Sequence, residues 1–240
     1  MNRHKLTDIG HRRLPFANPI GETKIERLLE LLPLRPGHRV LDIGAGKGEF
    51  LRRVVRRRGV HATGVEIRGD IAPRSRGRLR MVIEDAVKYV PPRPFDVAAC
   101  IGSTHALGGY LPTLKALKKW VTPGGFIAVG EGFWMKRPAT GYLKALKSDS
   151  SEFTTHAGNL ARAEALGLLP MWSVTATQDE WDEYEWTYSS SIETYAADHP
   201  DDPDSKPMLD HIRAWRRARL KWGRDTLGFG LYLFRNGPSR

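Results

Sequence analysis

Val40-Leu41-Asp42-Ile43-Gly44-Ala45-Gly46-Lys47-Gly48-Glu49-Phe50 is the stretch whose reading decides the fold. Val40 to Ile43 is a short apolar run, the pattern of a strand buried in a parallel sheet. Three glycines on alternate positions follow, and Phe50, Leu51, Val54 and Val55 then recur at helical spacing. The order is strand, glycine turn, helix. A turn this sharp visits backbone angles forbidden to other residues, and a missing Cβ lets a ligand touch the main chain. The helix that follows aims unpaired N–H groups at the same place, so the element is a ligand cradle. Its spacing differs from the dinucleotide fingerprint G-x-G-x-x-G, whose third glycine comes three residues after the second. Lys47 is followed by Gly48 and Glu49, which disfavours a phosphate-gripping P-loop, and acids in and after the turn repel pyrophosphate.

With Asp42 two residues before the first glycine, D-x-G-x-G-x-G resembles the first motif of class I S-adenosylmethionine (SAM)-dependent methyltransferases. The resemblance implies that Asp42 and the turn face a cationic, phosphate-free cofactor. Asn18-Pro19 with Glu22, Ala99-Cys100-Ile101-Gly102, Gly108-Gly109 and Val129-Gly130-Glu131 carry it further along the chain. So do Trp181-Asp182, Tyr184-Glu185 and a terminal Gly228-Phe229-Gly230. Together they resemble one bacterial group of small-molecule-type methyltransferases, mostly of unassigned substrate. The implied fold is α/β, a Rossmann-like seven-stranded mostly parallel sheet with an antiparallel last strand. Helices cover both faces, and a two-helix insert lies between strands six and seven.

Taken in order, residues 1–21 read as an arm without clear periodicity. Ile25, Leu28, Leu29 and Leu32 mark an amphipathic helix ended near Pro33. Later strands are expected at His61–Ile67, Leu79–Ile83, Phe95–Ile101, Phe126–Gly130, Leu168–Ala176 and Leu227–Phe234. The link after Glu66 is short and holds Gly69, Pro73 and Gly77, so the usual crossover helix there is abbreviated or lost. Leu111, Leu114 and Leu117 line a helix, and Thr122-Pro123-Gly124-Gly125 is a tight turn into the fifth strand. Helical stretches at Asp179–Ala197 and Pro207–Trp222 make an insert over 178–224, expected to act as a lid. A single domain then spans 1–240, with its cofactor half at 37–131.

Glu66 closes the second strand, where a carboxylate can accept hydrogen bonds from both ribose hydroxyls of an adenosine ligand. The resemblance matches Asp85 to the adenine amino group. The cofactor set it implies is Asp42, Gly44, Ala45, Gly46, Gly48, Glu66, Ile67, Asp85, Ala86 and Ile101. Ligands of open α/β sheets bind beyond the carboxyl ends of the strands, which puts the loop Gly102–Gly109 at the reaction site. His105 on that loop titrates near neutrality and is the first choice of general base, with Glu131 at the end of the fifth strand as second. The competing readings are that His105 only shapes the pocket and that Glu131 holds a cationic substrate. Trp134 and Tyr142 are candidate pocket walls. Trp181, Tyr184, Glu185 and Tyr188 share one helix face, either as core packing or as substrate contacts. His61, His156, His199 and His211 show no ligand spacing, so no metal is assigned.

A chain of 240 residues has the size of one ordinary domain. Its net charge of +11 favours acidic partners, nucleic acid among them. Arg52, Arg53, Arg56, Arg57 and Arg58 read as a solvated face, as do Arg213, Arg216, Arg217, Arg219 and Lys221. Ile-Gly-Ser-Thr after the fourth strand differs from the [Asn/Asp]-Pro-Pro-[Tyr/Phe] of exocyclic-amine methylation. Cys100 is the only cysteine, which excludes an internal disulfide framework. With no apolar signal region at the N-terminus and no membrane-spanning run, a cytoplasmic enzyme is expected. The reading is methyl transfer to a small-molecule acceptor. RNA methylation by the same fold and a NAD-binding oxidoreductase are the alternatives.

Overall fold

Strands that are apolar on both faces belong in the middle of a sheet, and this chain puts them there. The computed structural model describes residues 1–237. Among them are seven strands, β1 (Arg39–Ile43), β2 (His61–Glu66), β3 (Leu79–Ile83), β4 (Phe95–Ile101), β5 (Val121–Trp134), β6 (Leu168–Thr175) and β7 (Leu227–Asn236). They form one sheet in the order β3-β2-β1-β4-β5-β7-β6. The first five pair in parallel, and β7 runs antiparallel to β6. Val40, Leu41 and Ile43 of β1 and Ala98, Ala99 and Cys100 of β4 are fully buried. From β1 the chain steps outward through β2 and β3, then returns to β4 on the other side of β1. That reversal opens a crevice at the carboxyl ends of β1 and β4.

The described helices are α1 (Arg3–His11), α2 (Glu22–Leu31), α3 (Glu49–Arg58), α4 (Tyr110–Trp120), α5 (Thr140–Leu146), α6 (His156–Glu164), α7 (Gln178–Asp198) and α8 (Ser205–Lys221). The link between β2 and β3 contains no helix, in keeping with its glycines and proline. Two compact units result. A sheet unit comprises Ile20–Gly132, His156–Thr175 and the described residues from Phe229 to Gly237; a helical unit comprises Met1–Pro19, Phe133–Thr155 and Ala176–Gly228. In the sheet unit, Leu114 and Leu117 of α4 pack with Ile127, Val129 and Phe234. Leu6 and Ile9 of α1 meet Ile192, Met208 and Ile212 in the core of the helical unit. No described helix is long and apolar enough to cross a membrane.

Three sequence expectations need correction. The N-terminal arm is not irregular, because α1 forms there, with the Asn2 side chain accepting from the Lys5 N–H at 3.2 Å. Nor is the arginine face of α3 uniformly solvated. Arg53 is only 8 % exposed and donates to Glu49, Glu26 and Glu22 at 2.8, 2.7 and 2.6 Å. On α8, Arg219 is likewise buried, while Arg213 and Arg216 pair with Glu193. Finally, β5 begins at Val121 rather than after the Pro-Gly-Gly turn. Phe95 pairs with Val121 and Val97 with Phe126, so Thr122–Gly125 is extra chain taken up inside the strand.

Candidate functional site

The glycine turn is built from the end of β1 outward. Gly44 and Ala45 donate their N–H groups to the Val65 carbonyl at 2.9 and 3.1 Å, and the Gly48 N–H closes back on the Ala45 carbonyl at 2.8 Å. Gly44 has φ +68°, and a Cβ there would lie 2.4 Å from the Ser103 side chain. Ser103 in turn donates to the Ile43 carbonyl at 2.7 Å, so its hydroxyl ties the loop after β4 to the end of β1. Gly46 differs. Its φ is +50°, yet a Cβ built on it meets nothing within 4 Å. The Gly46 face is open, as a main chain must be if a ligand is to lie against it.

Two buried carboxylates flank that face. Glu66 is 8 % exposed; it accepts from the Gly46 N–H at 2.9 Å and, through its other oxygen, from the Arg68 N–H at 3.0 Å. Asp42 is 6 % exposed, and burial, with the Glu66 charge second, pushes its pKa up to about 8. Beyond them Ile67, Ile83 and Val87 are 66, 53 and 70 % exposed, an aliphatic fringe at the ends of β2 and β3. The Asp85 side chain accepts from the Val87 N–H at 3.0 Å and holds the turn that buries Ala86. Open glycine backbone, two acids and exposed aliphatic groups fit a nucleoside carrying positive charge. They do not fit a diphosphate, which would meet the Glu66 carboxylate and hold the neighbouring Asp42 in its protonated form.

Asp42 supplies a pH signature of its own. Because folding raises its pKa, the folded chain holds the proton that the unfolded chain gives up. Stability is therefore expected to fall as pH rises from the ordinary carboxylate range to about 8, and to level off above. Asp42→Asn should remove that slope, about 1.4 kcal/mol per pH unit where the two states differ by one proton. Urea midpoints of the two ligand-free proteins across this range check it, and parallel curves would contradict the assignment.

The loop after β4 is firmly anchored. Thr104 is buried and donates through its hydroxyl to Glu131 at 2.5 Å, while its carbonyl accepts from the Gly109 N–H and the Thr113 hydroxyl. The neighbouring His105 side chain is exposed on a 3-10 turn, Thr104–Leu107. Glu131 is 8 % exposed and also accepts from the Gly132 N–H at 2.8 Å. Ile101 stands just before the loop, against Gly130. Ser103 and Thr104 escaped the sequence reading; two hydroxyls after a strand-ending glycine were the available signal. Cys100 is buried, with its thiol pushed up to about 12 mainly by desolvation, and is chemically quiet.

The other nominated residues lie in the helical unit. Tyr142 is 1 % exposed and packs between Trp134 and Trp222. Desolvation pushes its hydroxyl up to about 12. Trp134 donates its indole N–H to the Ser150 carbonyl at 2.9 Å. Trp181 is 8 % exposed beneath the Arg219 guanidinium, whereas Tyr184 and Tyr188 line a cavity.

A family model described as a methyltransferase domain matches residues 16–190. YjhP of Escherichia coli is 28 % identical over 238 residues, 95 % of each chain. A SAM-dependent methyltransferase of Geobacter sulfurreducens, solved with S-adenosylhomocysteine, superposes with a TM-score of 0.86 at 29 % identity. It covers 96 % of this chain and 97 % of that one. Over a shorter span, 32 % identity joins 48 % of this chain to 46 % of the 27-O-demethylrifamycin SV methyltransferase of Amycolatopsis mediterranei.

Proposed function

This chain belongs to the SAM-dependent methyltransferase family, and on that premise we propose that its methyl acceptor is a small molecule with a nitrogen, oxygen or sulfur nucleophile. Bound SAM supplies an electrophilic methyl group on a sulfonium, transferred by in-line displacement. The chain's own work is to bind, orient and keep water away, and positioning of this type is worth about 7–11 kcal/mol of barrier.

In this reading Glu66 holds the ribose. Its oxygens already take the Gly46 and Arg68 N–H groups, so the ribose site and the glycine turn are one hydrogen-bonded unit. Asp42, whose ionised form burial and Glu66 disfavour in the ligand-free chain, gains a partner for that form when positive charge is placed at the turn. Gly44, Ala45, Gly46 and Gly48 offer main chain, while Ile67, Asp85 and Ala86 enclose the base end and Ile101, at the end of β4, borders the cofactor on the other side of β1. Glu66→Ala is expected to weaken SAM binding by about 1.5–3 kcal/mol or more, since a charge-assisted bond and the pin on Gly46 go together. Unchanged affinity in a calorimetric titration would remove Glu66 from the ribose site. His105 is proposed to take the acceptor's proton from the anchored loop after β4. Glu131 is second choice, because both its oxygens already accept hydrogen bonds.

The observation that carries a small acceptor is that the helical unit by itself offers a cavity of small-ligand size, about 250 Å³, beside Tyr184 and Tyr188. Charge points the same way. Arg53, Arg57, Arg213, Arg216 and Arg224 all pair with carboxylates instead of forming an open basic stripe. The Amycolatopsis relative is named for a small-molecule acceptor, which supports this class. A cytoplasmic setting belongs to the same proposal. Incubating the enzyme with methyl-labelled SAM and a metabolite extract, with total RNA in parallel, is expected to label low-molecular-weight product only. Label in RNA alone would overturn the small-molecule reading in favour of the nucleic-acid one.

A further inference from the structure

The helical unit has an open-mouthed cavity of about 250 Å³ whose walls include His11, Tyr184, Glu185, Tyr188, Ile212 and Trp215. Drug-sized sites run to about 300–1,000 Å³, so this one suits a ligand of few heavy atoms. Its polar content is unusual. Glu185 spends one carboxylate oxygen on the Trp215 indole N–H at 2.8 Å, and among the described residues no hydrogen bond reaches the other. Aromatic rings share the lining with it. Tyr184 and Tyr188 are 6.5 Å apart at 35°, and the His11 ring meets Tyr188 edge-on at 4.8 Å.

Two histidines share the lining. Nδ1 of His11 lies 2.9 Å from the Thr7 carbonyl, which can only accept, so that nitrogen carries a proton. Nε2 lies 2.9 Å from the Tyr184 hydroxyl, a group that both donates and accepts. His211, which completes the lining, has its charged form disfavoured by burial and by Arg3 and Lys147. The cation near Glu185 is Arg219, whose guanidinium is stacked over Trp181 at 4.4 Å and makes no hydrogen bond to the carboxylate. Ring faces are electron-rich and attract cations, most strongly ammonium groups already stripped of water. Burial pushes the Glu185 carboxyl above its usual range, and the Trp215 hydrogen bond and the Arg219 charge offset this only in part. A cation placed beside its free oxygen would therefore stabilise the ionised form, whereas an anion or a neutral ligand would not.

We propose that this cavity binds a small organic ammonium ion, seated among Tyr184, Tyr188 and Trp215 with Glu185 as its counter-ion. Where that amine is also the methyl acceptor, the inference rests on the small-molecule reading above. Binding without cofactor depends on the cavity alone, so the two can fail separately.

The test is a calorimetric titration of the full chain, without SAM, using three probes of one shape. These are choline, its uncharged tert-butyl analogue, and tert-butylacetate as the anion. Choline is expected to saturate in the millimolar range or below, with the uncharged analogue about tenfold weaker or worse. Glu185→Gln keeps an acceptor for Trp215 and should bring choline down to the level of the analogue, with an unchanged circular dichroism spectrum. Should that variant not fold, the order of the three probes on the unaltered chain decides. Absence of saturable choline binding, equal binding of the uncharged analogue, a preference for tert-butylacetate, or a folded Glu185→Gln chain that still prefers choline would each overturn the proposal.

Discussion

Gly46→Val is expected to remove SAM binding, by more than about 100-fold or roughly 2.7 kcal/mol, and to leave the sheet folded. At φ +50° a β-branched residue is strained, by about 1–3 kcal/mol, which a domain of this size can absorb. The added side chain meets no protein atom within 4 Å, so the fold has no clash to relieve. What it fills is the open face between Glu66 and the start of α3. Gly37→Val separates the two effects. Gly37 also has positive φ (+89°) and open space, but it lies in the turn before β1, at the opposite end of that strand from the cradle. The two variants should lose similar stability in urea, and only Gly46→Val should lose the cofactor in calorimetry. Normal affinity in the Gly46 variant would contradict the cradle.

His105→Ala should lower kcat by about 10²–10⁴-fold, the usual contribution of general acid–base catalysis, with SAM affinity unchanged. That separation is expected because the anchors of the loop lie elsewhere. Thr104 is held by Glu131, Gly109 and Thr113, and Ser103 by the Ile43 carbonyl, so truncating the exposed imidazole leaves the loop in place. Single-turnover kinetics with the acceptor found by labelling provide the measurement. Undiminished turnover would reduce His105 to a wall of the pocket, and weakened SAM binding would show that it shapes the cofactor site instead.

How much of this was legible beforehand depended on where each signal lies along the chain. β1 and β4 are short, largely apolar runs followed by glycines, so a short window of sequence reveals both the strand and the turn beyond it. Glu66 is readable for the same reason, as an acid closing a strand. α1 was missed because only Leu6, Ile9 and Gly10 are buried in its nine residues, and its partners Ile192, Met208 and Ile212 lie about two hundred residues away. Arg53 was misread because two of its three carboxylates sit on α2, outside any local window. α5 and α6 are short, and neither carries a full apolar stripe. The Tyr184–Glu185–Tyr188 spacing was visible, but the Trp215 and His11 contacts that turn it into a lined cavity come from other helices.

Beneath all of this is one physical claim, that the bend after β1 takes a positively charged sulfur nucleoside because two buried acids and an open glycine backbone surround it. Isothermal titration of the purified chain with SAM, repeated in the presence of excess NAD, tests that claim most directly. A single saturable site, competed by S-adenosylhomocysteine and indifferent to NAD, is the predicted result. No heat with millimolar SAM, or displacement of SAM by NAD, would contradict it.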